Sequence, residues 1–420
     1  MAGAEWSPGG RYGSAGIYAL SACVAAATGA LVVRSPLVGV ALVAAIGAGA
    51  TASRLTRLGA VELLLGALPW LVIFDGLLPS LLRTFVTAAA ALAMLALALP
   101  LRYRQVLGPV AAGLFVVIVL ANGVFATHSD QLTQVAKYMI FPAVALAVLS
   151  ERGQERFPQA RNLVLGSCLA ALAVHLGIVA AGLGETGTKY EIGEKLGYGR
   201  GIVHEMTLTF VVVAAAGLVS SRRLPVQLGF FALGAVPAML TGVRSALLAL
   251  VLVIVIFVVR SRFDRRALAL VGALVVIAFA SGAAGVVLER FAKESRTETS
   301  FASAGSERGA IWSTAATPWW NAGPPEWLFG TGFGSIEEAE IRALGSPFVG
   351  HSDLIEVGIS LGLVAFLAWA ALWLALFRAP LEGIVLVPLI VFAVVNGSML
   401  YVAPLTLGLA FSAACRAPPA

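Results

Sequence analysis

The sequence predicts an all-α polytopic membrane protein with about 12–14 transmembrane helices and one long outer loop. Three observations carry that expectation. Of 420 residues, 59% are hydrophobic and only 12% are charged, whereas an ordinary soluble domain has about 25% charged residues. Mean hydropathy is +0.93. Apolar runs recur from end to end, each long enough at ~1.5 Å per residue to cross a ~30 Å hydrocarbon core. The basic residues also fall on alternate connections, as they do when cytoplasmic loops retain arginine and lysine.

The runs place spans at 15–33, 36–52, 59–78, 82–99, 106–126, 133–149, 163–183, 204–220, 225–241, 244–259, 267–288, 352–377, 381–396 and 399–415. The first and last pairs are short and read equally well as hairpins or broken helices. With the N-terminus inside, the inner connections hold Arg11, Arg54, Arg57, Arg102, Arg104, Arg152, Arg156, Arg161, Arg222, Arg223, Arg260, Arg262, Arg265, Arg266, Arg378 and Arg416. Outside the two longer outer loops, the other side keeps only Arg34, Arg83, Lys137 and Arg244. Bias over short loops sets orientation, so both termini are expected in the cytoplasm. The net charge of +6 then reflects membrane anchoring, and no nucleic-acid partner is expected. Cys23, Cys168 and Cys415 fall inside or at the end of apolar segments, where they read as small core hydrophobes with no disulfide framework. Met1 to Gly16 lacks a clear cleavage box, so the first run reads as a retained span.

This layout divides the chain into N-terminal transmembrane helices (1–183), an outer glycine-rich loop (184–203), transmembrane helices carrying Arg244 (204–288), a long extracytoplasmic loop (289–350) and C-terminal transmembrane helices opening at His351 (351–420). A compact protein rarely keeps a loop as long as 289–350 without a use for it. The sequence GTGFGS at 330–335 has the look of a phosphate loop, but no strand precedes it, and a turn is the expectation. Trp312, Trp319, Trp320 and Trp327 form either an interfacial belt or a set of platforms for sugar faces.

The residues able to do chemistry gather at the outer face. Arg244, in LTGVRSALLAL, sits where one span ends and the next begins. An arginine in or near hydrocarbon costs ~2.5–3.5 kcal/mol on insertion scales and usually faces a cavity or partner; the alternative is a snorkelling anchor. Arg308 in GSERGAIW and Arg200 in GYGRGIVHE share that ambiguity. His351 opens the block HSDLIE, in which Ser352 and Asp353 are suited to cap a helix. Capping leaves the imidazole unexplained, and a histidine on a cavity lip serves as a base near neutral pH. A Ser-His-Asp hydrolase is a poor fit, because three consecutive residues cannot form a triad. A second HSD, at 128–130, reads as capping alone. His175 lies within a span and reads as a packing residue.

Five blocks taken together, GYGRGIVHEMTL, LTGVRSALLAL, GSERGAIW, EWLFGTGFGS and HSDLIE with Gly362 beyond it, resemble the O-antigen ligase and O-antigen polymerase superfamily. The resemblance covers roughly residues 198 to 377 and implies a GT-C-like helical bundle. It also implies transfer of a glycan from a polyprenyl (undecaprenyl) diphosphate carrier to an acceptor sugar hydroxyl at the outer face of a bacterial inner membrane. His351 matches the family's essential histidine, and Arg244 and Arg308 match family arginines, as does Arg200. Ser352 stands where Asn is common, and Ala365 where a second Gly is frequent.

The chemistry is coherent beside the resemblance. A diphosphate leaving group needs cations more than a proton donor, and forked guanidinium groups suit it. His351 would be the base for the acceptor hydroxyl, with Asp353, Glu356 or Glu205 orienting it. Asp75, Asp130, Asp264 and Asp353 include no D-x-D pair, so metal-independent transfer with no cofactor is expected. The expected partners are a polyprenyl-diphosphate-linked glycan donor, a glycan or glycolipid acceptor and the lipid bilayer. A transporter is the competing reading; it would favour ionisable residues at mid-membrane depth. A non-catalytic scaffold has no feature in its favour.

Overall fold

A computed structural model of the chain describes residues 57–73, 80–99, 101–124, 129–180, 203–220, 223–241, 243–280, 308–344 and 352–415, with a few positions between 282 and 288. The described residues are all helical, with no strand. The first nine helices are α1 (Arg57–Ile73), α2 (Ser80–Ala98), α3 (Leu107–Val124), α4 (Ser129–Leu149), α5 (Glu151–Ala180), α6 (Val203–Ser220), α7 (Leu224–Leu240), α8 (Arg244–Arg260) and α9 (Arg265–Ala280). Helices α10 (Arg308–Trp320), α11 (Pro324–Phe329) and α12 (Ser335–Leu344) lie within the long hydrophilic stretch. The C-terminal part holds α13 (Asp353–Glu356), a π turn (Val357–Leu361), α14 (Gly362–Arg378), α15 (Gly383–Val395) and α16 (Val402–Ala414). The spans expected at 15–33 and 36–52 lie outside the described residues.

Among the described residues, Glu151–Val174 and Asp353–Arg378 are long and apolar enough to cross a membrane unaided, and nine shorter apolar helices of 10–17 residues accompany them. The architecture is an all-α polytopic membrane bundle. Three segments depart from the expected spans: the one expected at 267–288 ends as α9 at Ala280, with a turn at Gly282, and two others differ as follows. Helix α5 starts at Glu151 rather than near 163. Its charged first turns are compatible with helix because they find partners: Glu151 pairs with Arg104 at 3.2 Å, and the Arg152 guanidinium bonds the Leu99 carbonyl. Hydropathy registers only the apolar remainder. The span expected at 352–377 is not one regular helix but α13, the π turn and α14, broken at Gly362.

Helix α16 is the hub. Every residue from Val402 to Ala414 is buried, and the helix packs against α1, α2, α4, α5, α6 and α15. A helix apolar on all sides belongs at the centre of such a bundle. Cys168 and Cys415 are buried free thiols, in keeping with core packing. Outward-facing Val110, Leu114, Val117 and Leu120 on α3 and Leu248, Val251 and Val255 on α8 are exposed, as lipid-facing positions must be.

Lipid gives no hydrophobic drive between helices, so close approach through small residues has to supply packing energy. Helices α6 and α7 form the most intimate pair. A Cβ added at Gly234 would meet the Phe210 carbonyl oxygen and lie 2.7 Å from the Ala214 nitrogen. The obstacle is backbone, which cannot step aside. We expect Gly234→Leu to separate α6 from α7 and to cost about 1–3 kcal/mol or more by overpacking. Gly229, whose added Cβ meets nothing within 4 Å, should accept alanine. Thermal unfolding in detergent checks both, and an unchanged midpoint for Gly234→Leu would contradict this packing.

Candidate functional site

The site is built where α15 ends and α16 begins. The interruption of α-helix at residues 396–401 frees backbone groups that a buried position cannot leave unpaired. Two adjacent residues of the HSDLIE block satisfy them. The Ser352 hydroxyl donates to the Val394 carbonyl at 2.7 Å. The Asp353 carboxylate accepts from the Met399 N–H at 3.0 Å and from the Ser398 hydroxyl at 2.7 Å. Asp353 is 0% exposed. Ser352 also caps α13, accepting from the Ile355 N–H at 3.4 Å. Capping therefore falls to Ser352, while Asp353 holds the 396–401 turn.

The same turn reaches two other segments singled out by the sequence. The Asn396 amide bonds the Ser245 hydroxyl, and Ser245 follows Arg244 at the start of α8. The His204 ring stacks on Tyr401, with centroids 6.4 Å apart, and His204 precedes Glu205, which is buried in the first turn of α6. Arg244 is partly exposed at the first position of α8. The segments carrying Arg244, Glu205 and Asp353 thus converge on one turn. Asn396, Ser398 and Tyr401 were not singled out from sequence. Their signal was present: polar residues and a glycine between two apolar runs, at a depth where polar groups are costly.

Glu356 lies at the other end of α13, and its carboxylate accepts from the Tyr138 hydroxyl of α4 at 2.6 Å. One helical turn earlier on α4, the Gln134 amide donates to Glu337 of α12 at 2.6 Å. Between them lies a cavity of about 10 Å³ lined by Gln134, Tyr138, Phe333, Glu337, Glu356 and Ser360.

The GTGFGS stretch is a turn, and its Gly330, Thr331, Gly332 and Ser335 amides are already engaged. The Thr331 and Gly332 N–H groups each donate at 3.0 Å, to the Ile359 and Ser360 carbonyls of the π turn. A π turn shifts carbonyls out of the α-helical ladder, and these two amides take them up. Contact this close requires glycine on both sides. Gly362 has φ +81, and a Cβ there would lie 2.5 Å from the Leu328 carbonyl carbon. The loop helices also dock through a small apolar cluster of Ala315, Ile336 and Ile359. Trp327 donates its indole N–H to the Trp319 carbonyl at 2.8 Å, and Trp320 is exposed.

Three expected site residues have no described side chain. His351 and Arg200 lie outside the described residues. Arg308 opens α10, but its side chain lies outside them too. Helix α10 packs on α13 and the π turn. Among the described residues, no group of three or more His, Cys, Asp or Glu is arranged to hold a metal ion.

A membrane bundle with its polar contacts gathered around one helix break is the class that fold and site define. Residues 229–370, from α7 through most of α14, match the family model described as O-Antigen ligase. That match covers about a third of the chain and supports a likeness to the O-antigen ligase/polymerase superfamily. The family implies a lipid-linked glycan donor and a glycan or lipid acceptor. No curated protein matches the chain.

Removing the Asp353 carboxylate strands the Met399 N–H and the Ser398 hydroxyl in a dry interior. An unsatisfied buried group costs about 1–3 kcal/mol. Asp353→Ala should therefore lower the thermal midpoint clearly, and Asp353→Asn, which keeps an acceptor oxygen, should lower it less. Equal midpoints for the two variants would remove the anchoring role.

Proposed function

We propose that this protein transfers a glycan from a polyprenyl diphosphate carrier to an acceptor sugar hydroxyl at the extracytoplasmic face of a bacterial inner membrane. The acceptor oxygen attacks the anomeric carbon, the bond from that carbon to the diphosphate breaks, and the acceptor proton passes to His351. The carrier diphosphate leaves with the electron pair, its charge met by Arg244, Arg308 and Arg200. At ~4 Å and an effective dielectric near 20, one such pair is worth ~4 kcal/mol before desolvation. Asp353 and Glu356, which follow His351 closely in sequence, and Glu205 are the carboxylates proposed to orient the base. The step needs no metal in this reading, since guanidinium groups supply the charge.

The observation that carries the reading is the 396–401 turn. It joins the Arg244 segment to the helix that follows His351, within a region matching the O-antigen ligase family. Both termini lie in the cytoplasm in this scheme. The five-part division at 1–183, 184–203, 204–288, 289–350 and 351–420 then alternates membrane helices with outer segments.

Deleting the gene should leave carrier-linked glycan unconsumed in the cells: long chains if the enzyme is a ligase, single repeat units if it is a polymerase. An unchanged carrier-linked pool would overturn the reading. In the purified protein, Arg244→Lys keeps the charge but loses the bidentate fork, and should lose about tenfold or more of turnover while still folding. His351→Gln should abolish transfer while binding of a sugar-free polyprenyl diphosphate persists. Near-wild-type transfer by the glutamine variant would reduce His351 to a positioning group.

A further inference from the structure

We infer that Tyr138 is a positioning residue for glycan transfer, acting by holding the Glu356 carboxylate at a cavity that receives a glycan hydroxyl. The inference rests on the transfer reading above. Tyr138 is 1% exposed, and its ring meets Phe333 edge-on with centroids 5.5 Å apart. Phenylalanine would fill that space equally well, so packing does not account for the hydroxyl. A buried phenol needs a partner, and this one donates to Glu356 at 2.6 Å.

The partner has a particular chemistry. Glu356 is 9% exposed, and the Tyr138 bond orients its carboxylate with a neutral donor. Four residues earlier on the same face of α4, Gln134 does the same for Glu337. One helix thus presents two neutral donors to two carboxylates from different parts of the chain. Both carboxylates, together with Ser360, line the cavity of about 10 Å³, room for about one water-sized group. An ionised carboxylate only accepts hydrogen bonds, so a group entering must donate. A sugar hydroxyl meets that demand. Glu356 also sits immediately before the π turn clasped by Thr331 and Gly332, which fixes its backbone while Tyr138 fixes its side chain.

The test uses the full-length protein in detergent or liposomes. The substrate is lipid-linked oligosaccharide extracted from the deletion strain, and the binding probe is a sugar-free polyprenyl diphosphate. Wild-type turnover is measured first: its absence overturns the transfer reading and this inference with it. With wild-type turnover present, Tyr138→Phe should lower kcat about tenfold, the scale of one hydrogen bond to a charged group. Probe binding should stay within about twofold, because the arginines that bind it are untouched. The Tyr138→Phe/Glu356→Gln double variant should be no slower than Glu356→Gln alone, since both substitutions break one unit. Unchanged kcat in Tyr138→Phe would overturn the inference while leaving the transfer reading intact. So would additive losses in the double variant. A fall in probe binding parallel to the fall in kcat would mark Tyr138 as a structural staple and also overturn it.

Discussion

The constraint on which the rest depends is that a helix broken inside a membrane bundle must have its backbone groups satisfied by protein. Between α15 and α16 the α-helix is interrupted for six residues, three of them a 3-10 turn (Ser398–Leu400), and Asn396, Ser398 and Met399 there are fully buried. Ser352 and Asp353 answer in opposite senses: the hydroxyl donates a hydrogen bond to the Val394 carbonyl, and the carboxylate accepts one from the Met399 N–H. Two neighbouring side chains of opposite hydrogen-bonding character meet one orphan carbonyl and one orphan amide. The start of α13 is thereby fixed against the centre of the molecule, because α16 is the hub on which six other helices pack. A Ser-Asp pair beside a histidine invites a catalytic reading; here the pair ties the start of α13 to the end of α15 and the 396–401 turn.

A second irregularity follows the same logic. The π turn at Val357–Leu361 displaces the Ile359 and Ser360 carbonyls, and the long loop returns from α11 to cap them through Thr331 and Gly332. The loop is thus tied to the bundle by backbone bonds, which depend on shape and not on side-chain identity beyond Gly330 and Gly362. The apolar contact of Ala315, Ile336 and Ile359 adds a second point of attachment. A 62-residue stretch expected as a hydrophilic loop is in its described part three helices laid over α13 and the π turn. Amphipathic pieces of that kind carry too little apolar signal to register as helices in a hydropathy reading. Ser335–Leu344 has four charged residues in ten, and Pro324–Phe329 is barely longer than one turn.

The bundle itself was legible because twenty-residue apolar runs have few alternatives, and most described helices begin and end within a few residues of the expected spans. The expected start of α5 was late because Glu151 and Arg152 resemble loop residues until their partners are seen. For the site, charge and spacing picked out Arg244, Asp353 and Glu356, since an ionisable residue at a membrane interface is conspicuous. What sequence could not supply was the partner of each. Tyr138 lies 218 positions from Glu356, and Asn396 lies 151 from Ser245. Neither spacing is local to any helix, and both arise only from how α4 and α15 pack. Asp353 and Glu356, read from sequence as equivalent candidates to orient a base, are separated by structure: one carboxylate is anchored on the central turn, the other faces a cavity.

That separation bears on how one membrane face could handle two unlike groups. Helices α8 and α15 run antiparallel and are tied at both ends, by Asn396 to Ser245 at one and by the 2.5 Å pair of Arg260 with Glu382 at the other. The second tie is half-exposed and contributes little stability by itself, but with the first it holds α8 in register along its length. Arg244, at the first position of that helix, is therefore fixed relative to the 396–401 turn and through it to Asp353. The cation-bearing side of the site is rigid with respect to the hub. The carboxylate-lined cavity is fixed to the same hub by a separate route, through α4, which packs directly on α16. Arg244 and the carboxylate-lined cavity thus share one frame, reached from the hub by separate routes. In the transfer proposed above, an anionic leaving group would call for cations where negative charge develops, and the attacking hydroxyl for hydrogen-bond acceptors, with a rigid body between the two.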